Sequence, residues 1–193
     1  MAYGIKLKVW GEFAAFNRPE MKVERVSYEV MTPAAARGVL EAIYWKPEMS
    51  WVVDRIHVLA PIRSTQIRRN EIASKIPRQG VAQAMSKGRG PLGLLVDHDR
   101  QQRAAIILRD VMYGIVAHVE VRTVSPDEKA PVAKHLEMFK RRAAGGQCFH
   151  RPYLGCREFP ANFALVNDFP PCPDELRGER DLGHQDGRPP ALS

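Results

Sequence analysis

The stretch VMYGIVAHVEV, residues 111–121, constrains the fold of this chain more than any other. Val111, Tyr113, Ile115, Ala117, Val119 and Val121 recur at every second position, the period of a β-strand and not of a helix. All six side chains therefore share one face. So long an apolar face has to be covered, which puts the strand inside a sheet packed against a second layer.

Three more stretches read as strands. In YGIKLKVW, Tyr3, Ile5, Leu7 and Val9 alternate with Gly4, Lys6 and Lys8, the pattern of a half-buried strand. WVVDRIHVLAPI, from Trp51, is rich in β-formers, and GCREFPANFALV supplies a last strand. Two stretches read as helices. In MTPAAARGVLEAIYWKP, Thr32 is the N-cap, Pro33 takes the first helical position, and Ala36, Val39, Leu40 and Ile43 form an apolar stripe. The second helix is expected over 131–144, with Val132, Leu136, Phe139 and Ala143 on one face and Gly145–Gly146 ending it. The order strand, helix, strand, strand, helix, strand predicts an α+β fold of the ferredoxin-like βαββαβ kind, an antiparallel sheet with both helices on one face. RNA-recognition domains use this plan, and so do many proteins that bind no RNA.

The domain expected over residues 1–145 carries a basic loop or hairpin insertion at about 63–103, a stretch without clear periodicity. A glycine- and aromatic-rich segment with the last strand follows at 146–169, and a flexible tail at 170–193, rich in proline, glycine and charge. The chain has 45% hydrophobic and 26% charged residues in 193, ordinary values for a globular protein. Its apolar runs are too short to span a bilayer, and its first residues lack the apolar core of a secretion signal. A cytoplasmic protein with no membrane partner is expected. Cys148, Cys156 and Cys172 form no CxxC pair and are expected as reduced thiols.

The net charge of +7 is uneven: residues 1–150 carry 24 Lys and Arg against 15 Asp and Glu, the remainder 5 against 7. A basic folded domain suits a polyanionic partner. Tyr44, Trp45 and Lys46 crowd the end of the first helix, where a short cap would suffice. By residue type alone they fit core or rim packing as well as the wall of a site. Phe149, His150, Tyr153 and Phe159 interleave with Arg151 and Arg157, which suits base stacking with phosphate contact and equally suits a structural hairpin. Cys148, His150 and Cys156 match no common zinc spacing, and KGRGPLG lacks the Lys-Ser/Thr ending of a phosphate loop. No metal or cofactor is expected.

Taken together, YGIKLKVWGEFAAFNRPEMKVERVSYEVMTPAAARGVLEAIYWKP, PIRSTQIRRNEI, LRDVMYGIVAHVEV and KHLEMFKRRAAGGQCFHRPYLGCREFPA resemble the Cas-five family of the type I-C CRISPR system, subtype d or Dvulg. The resemblance covers about residues 3–183. It implies a repeat-associated mysterious protein with a ferredoxin-like core. The implied activity is that of a metal-independent endoribonuclease, which cuts the CRISPR repeat transcript beside its hairpin. The enzyme then stays on the 5′ handle of the guide, next to the backbone and large subunits of the interference complex. The family's catalytic tyrosine, lysine and histidine match Tyr44, Lys134 and His135. APVA precedes the Lys-His pair where relatives commonly have a turn with Gly or Pro, and HQDGRPPALS looks unrelated to the longer C-termini of relatives, so a truncated end is expected.

RNA needs no metal for cleavage because its own 2′-hydroxyl lies beside the phosphate. His135 suits proton transfer, with an unperturbed pKa near ~6.5. Lys134 suits stabilisation of phosphorane charge, and Tyr44 suits orientation of the nucleophile. Taken without the resemblance, Lys134-His135 is equally a solvated helix start. Expected RNA contacts are Lys46, Arg63, Arg68 and Arg69, the cluster Lys140, Arg141 and Arg142, and Phe149, His150, Arg151 and Arg157. Two alternatives stay open: a non-catalytic subunit that caps the guide, and a basic protein that binds duplex DNA.

Overall fold

A computed structural model describes residues 4–90, 92–93, 95–122 and 131–173. The elements are β1 (Gly4–Ala14), β2 (Arg25–Val26), α1 (Pro33–Ile43), β3 (Met49–Val58), β4 (Ser64–Ile72), α2 (Arg78–Lys87), β5 (Arg100–Val121), α3 (Pro131–Ala144) and β6 (Asn162–Leu165). The fold is mixed α+β, one six-stranded sheet with three helices among the described residues.

The alternating run at 111–121 is the second half of β5, which extends back to Arg100 and organises the whole sheet. Along one edge β5 pairs with β1, from Gly4↔His118 to Ala14↔Leu108, and then in parallel with the short β2. Along the other edge it pairs with β3, through Met49↔Val121, and then with β4, through Ser64↔Leu108 to Ile72↔Arg100. β6 lies outside β1, so that β6, β1, β5 and β3 are successive antiparallel neighbours. Asp110, between the two halves of β5, has φ 53°, a left-handed conformation that aspartate tolerates better than a branched residue.

Alternation then sorts the side chains. Ile5, Leu7 and Val9 of β1 and Tyr113, Ile115, Ala117 and Val119 of β5 are buried beneath α1 and α3. From α1 come Ala36, Val39, Leu40 and Ile43, and from α3 come Leu136, Phe139 and Ala143. Full burial of a side chain such as Leu7 or Ile115 stabilises the fold by about 1.5–3 kcal/mol. Trp51 of β3 packs edge-on against Phe139, ring centroids 4.7 Å apart, and ties the sheet to α3.

Thr32 caps α1 as expected, its hydroxyl accepting from the Ala35 amide at 3.3 Å. α3 spans the residues that its stripe predicted, with Gly146 in the left-handed region just beyond it. Other stretches depart from the expectation. The stretch at 63–103, expected as a basic loop or hairpin, holds strand β4, helix α2 and the first four residues of β5, with β4 and β5 antiparallel. Its strands carry arginines and glutamines in place of an apolar alternation, so periodicity did not reveal them. α2 buries none of its side chains. The last strand is four residues long, because residues 151–161 form a compact turn in which Leu154 and Phe159 enter the core. β2 is held by only two ladder positions. From residue 174 the predicted tail lies outside the described residues; before that, Phe169 covers Gly114 on the sheet face away from the helices. All three cysteines are free thiols, and no helix among the described residues is long and apolar enough to cross a membrane.

Phe139 touches the sheet through Trp51 and is fully buried. Phe139→Ala should therefore lower unfolding stability by about 3–5 kcal/mol in urea titration. A loss below about 1 kcal/mol would show that α3 does not anchor the core.

Candidate functional site

The end of α1 is built to hold Tyr44. Tyr44 leaves the helix in an extended conformation, φ −155° and ψ 125°, while its amide still donates to the Leu40 carbonyl. The Trp51 indole donates to the Tyr44 carbonyl at 2.9 Å. Helix C-termini leave carbonyls without intrahelical partners, and two of those in α1 are taken from outside. The Phe149 amide donates to the Ala42 carbonyl at 2.8 Å, and the Arg142 guanidinium donates to the Ile43 carbonyl at 3.1 Å. Arg142 also lies over the Tyr44 ring, 5.6 Å from its centroid, a cation–π distance. The last turn of α3 and the loop after it are thus locked to the end of α1.

His135 lies one helical turn before Phe139, on the buried face of α3, and only 1% of it is exposed. The Tyr44 hydroxyl, itself on a residue 5% exposed, lies 2.9 Å from His135 Nδ1. Nε2 of the same ring is buried and has no hydrogen-bond partner. An orphaned buried polar group costs about 1–3 kcal/mol, so packing alone would favour an apolar residue at this position. Burial raises the Tyr44 pKa above the usual phenol value, and Glu48 adds to the rise while Lys134 and Arg142 oppose it. At neutral pH the hydroxyl keeps its proton and can serve as a donor.

Tyr44, although almost wholly buried, borders a surface cleft. With Trp45, Lys46, Arg142, Phe149 and His150 it lines a cleft of about 720 Å³, completed by Gly38, Glu41 and Tyr153. The structure therefore gathers eight of the residues read from the sequence: Tyr44, Trp45, Lys46, His135, Arg142, Phe149, His150 and Tyr153. Lys134 is exposed on the first turns of α3 and near enough to act on the Tyr44 pKa.

The remaining expected contacts lie elsewhere. Lys140 pairs with Glu137 at 3.0 Å, and an Arg141 guanidinium nitrogen is 2.9 Å from the Met138 sulfur. Their triplet with Arg142 is not one patch, because successive helical residues point in different directions. Arg68 and Arg69 alternate on β4, Arg68 exposed and Arg69 ion-paired to Glu158. Arg63 lies in the connection between β3 and β4, and Arg157 is exposed in the turn before β6. Arg151 borders a separate depression beside Trp10 and Cys148. His57 and His118 are sheet-face residues of β3 and β5, His118 bonded to Asp54 at 2.8 Å. Glu41 and Gly38 went unread in the sequence. Both sit at i−3 and i−6 from Tyr44, on the exposed side of α1, a position that the apolar stripe defines by exclusion.

Residues 4–190 match the Cas5d family, described as CRISPR-associated protein (Cas_Cas5). One curated relative, the CRISPR pre-crRNA endoribonuclease Cas5d of Mannheimia succiniciproducens, is 53% identical over 188 residues, covering 95% of this chain and 83% of the relative. The protein of the same name from Thermus thermophilus is 46% identical over 160 residues, covering 83% of this chain and 63% of the relative. A solved structure described as a CRISPR-associated protein superposes with a TM-score of 0.54 at 24% identity, over 85% of this chain and 66% of that one. This chain is thus shorter than each of these relatives.

The tyrosine chemistry gives a pH test. Burial raises the pKa of both Tyr44 and Tyr113, so a spectrophotometric titration should show two phenols ionising above the ordinary range. A raised folded-state pKa contributes stability that is fully present below about pH 10 and lost as pH climbs through the folded value. Tyr44→Phe should therefore flatten part of the alkaline loss of stability. An unchanged slope would mean that Tyr44 ionises as an ordinary phenol.

Proposed function

This chain belongs to the Cas5d family of CRISPR-associated proteins, and we propose that it is a metal-independent endoribonuclease that cuts repeat-containing precursor RNA beside the repeat hairpin. In this reading it remains on the 5′ handle of its product as a subunit of the type I-C interference complex. The observation that carries the reading is the 2.9 Å bond between the Tyr44 hydroxyl and His135, at the edge of a cleft walled by rings and cations. Two residues 91 positions apart in sequence meet behind the wall of that cleft, and in this reading the RNA phosphate enters the cleft against Tyr44. The names of both curated relatives support the same activity.

The geometry favours a division of labour. His135 is too buried to touch RNA, so it works through Tyr44. As the ribose 2′-oxygen attacks the adjacent phosphorus, its proton passes to the Tyr44 oxygen and the Tyr44 proton passes to His135 Nδ1. The new bond joins the 2′-oxygen to phosphorus, and the 5′-oxygen leaves and takes a proton from solvent. The products are a 2′,3′-cyclic phosphate and a 5′-hydroxyl. Lys134 and Arg142 supply positive charge where the phosphorane is most negative. Among the described residues the cleft wall offers one carboxylate, Glu41, a poor match for divalent cations that favour several oxygen ligands.

The same reading makes the frame ferredoxin-like. The neighbour order β6, β1, β5, β3 and the position of α1 and α3 over one face support it. On that frame β2, β4 and α2 are additions that prolong the two edges of β5.

With the repeat RNA of its own locus, the protein should cut beside the hairpin in EDTA. Tyr44→Phe and His135→Gln should each slow cleavage by ~10²–10⁴-fold with RNA affinity little changed. Cutting at the native rate by both variants would show that the pair is not the proton path. Replacing the ribose at the scissile nucleotide by deoxyribose should abolish cleavage and spare binding. Cleavage of that substrate at the same bond would rule out internal attack.

A further inference from the structure

Proton transfer uses one edge of the cleft and leaves most of its wall unexplained. Trp45 is 51% exposed and Phe149 86% exposed, although large aromatics normally bury themselves. Both lie on structure rather than on loose chain: Trp45 follows the clamped Tyr44, and the Phe149 amide is bonded to the Ala42 carbonyl. Beside Phe149, the His150 and Tyr153 rings stack within 25° of parallel. Lys46 and Arg142 add cations to this wall, and Glu41 adds an acceptor.

Gly38 gives an independent indication. It stands in the middle of α1, where glycine weakens a helix. A Cβ placed on it would meet nothing within 4 Å, so packing within the chain does not require the glycine. What its bare backbone does is keep the floor of the cleft open. A second cleft of about 360 Å³ shares Gly38 and Tyr153 and leads on toward Asn17 and Thr32.

We propose that the cleft along the exposed side of α1 is a base-stacking subsite, which takes one unpaired nucleobase of the RNA on the Trp45 and Phe149 rings, next to the bond that is cut. This deepens the reading of Tyr44 and His135 and rests on it. A cleft of this volume suits a single nucleotide. Lys46 and Arg142 face its phosphates, while Glu41 repels phosphate and accepts from a base N–H, which turns the base inward. The second cleft is the path of the next nucleotide. Since a stacked, splayed base cannot be paired, the enzyme selects a substrate whose scissile bond borders single-stranded RNA.

The test is a binding cycle in EDTA, with the scissile ribose replaced by deoxyribose so that RNA survives. Wild type, Trp45→Ala and Phe149→Ala are titrated against intact RNA and against RNA made abasic, in turn, at each nucleotide flanking the scissile bond. Each ring variant should bind intact RNA about 5- to 150-fold more weakly, the range of one base stacked on one ring. At one flanking position, removing the base should weaken wild type similarly and leave the variants no further loss. Equal losses on intact and abasic RNA, or no loss at all, would overturn the proposal. Gly38→Leu, which fills the floor and should not lower the melting temperature, should weaken intact RNA as well; native affinity in that variant would also overturn it. The two readings fail separately. A base-dependent cycle without cleavage of ribose RNA would sink the nuclease and keep the subsite, and cleavage with a flat cycle would do the reverse.

Discussion

Strand β5 offers two edges of backbone donors and acceptors over 22 residues, and four other strands take them. Because each buried backbone group must find a partner, the lengths and places of β1, β3 and β4 follow from this one strand. β1 and β3 flank the half whose apolar face looks toward the helices. β4 and β2 flank the other half, polar over residues 100–103 and apolar over 104–108. The left-handed Asp110 divides the strand; before it Leu108 still joins the main core, and Ala105 and Ile107 form a second buried cluster with Ala15 and Phe159.

The candidate site depends on this arrangement at one remove. α1 and α3 meet because both bury a stripe on the same sheet face, and their meeting brings the last turn of each together. Orphan carbonyls at the end of α1 then recruit Arg142 and the Phe149 amide. The residues that complete the helix terminus are also residues that line the cleft. Structural need and site geometry coincide there, so that the cleft wall is held by backbone hydrogen bonds and not by side-chain packing alone. His135 departs from this economy: an apolar residue would serve the core better than a ring with an orphaned nitrogen.

Much of the framework was legible in the chain. Period two over 111–121 and 3–9 announced two strands that pair with each other, and the capped stripe of α1 and the stripe of α3 were readable to within a residue or two. The outer arm was legible only as a basic loop or hairpin without its elements, because strands with few side chains to bury need not alternate apolar with polar. The short β6 was overread for the opposite reason: Phe159 and Ala161 are apolar because a compact turn buries them, not because they form a strand.

For the site, the sequence by itself determined the chemical inventory: a tyrosine closing one helix, a lysine–histidine pair opening another, and aromatics mixed with arginines after it. Local spacing also made Tyr44 a terminus, since Pro47 cannot continue the helix. Only the tertiary structure decided that His135 is buried and Lys134 exposed, that the two helices present Tyr44 to Nδ1 at 2.9 Å, and that Arg142 alone of its triplet reaches the cleft. The reason is geometric. Neighbouring helical residues differ by about 100° in direction, and which direction meets a partner depends on how the sheet sets the helices side by side.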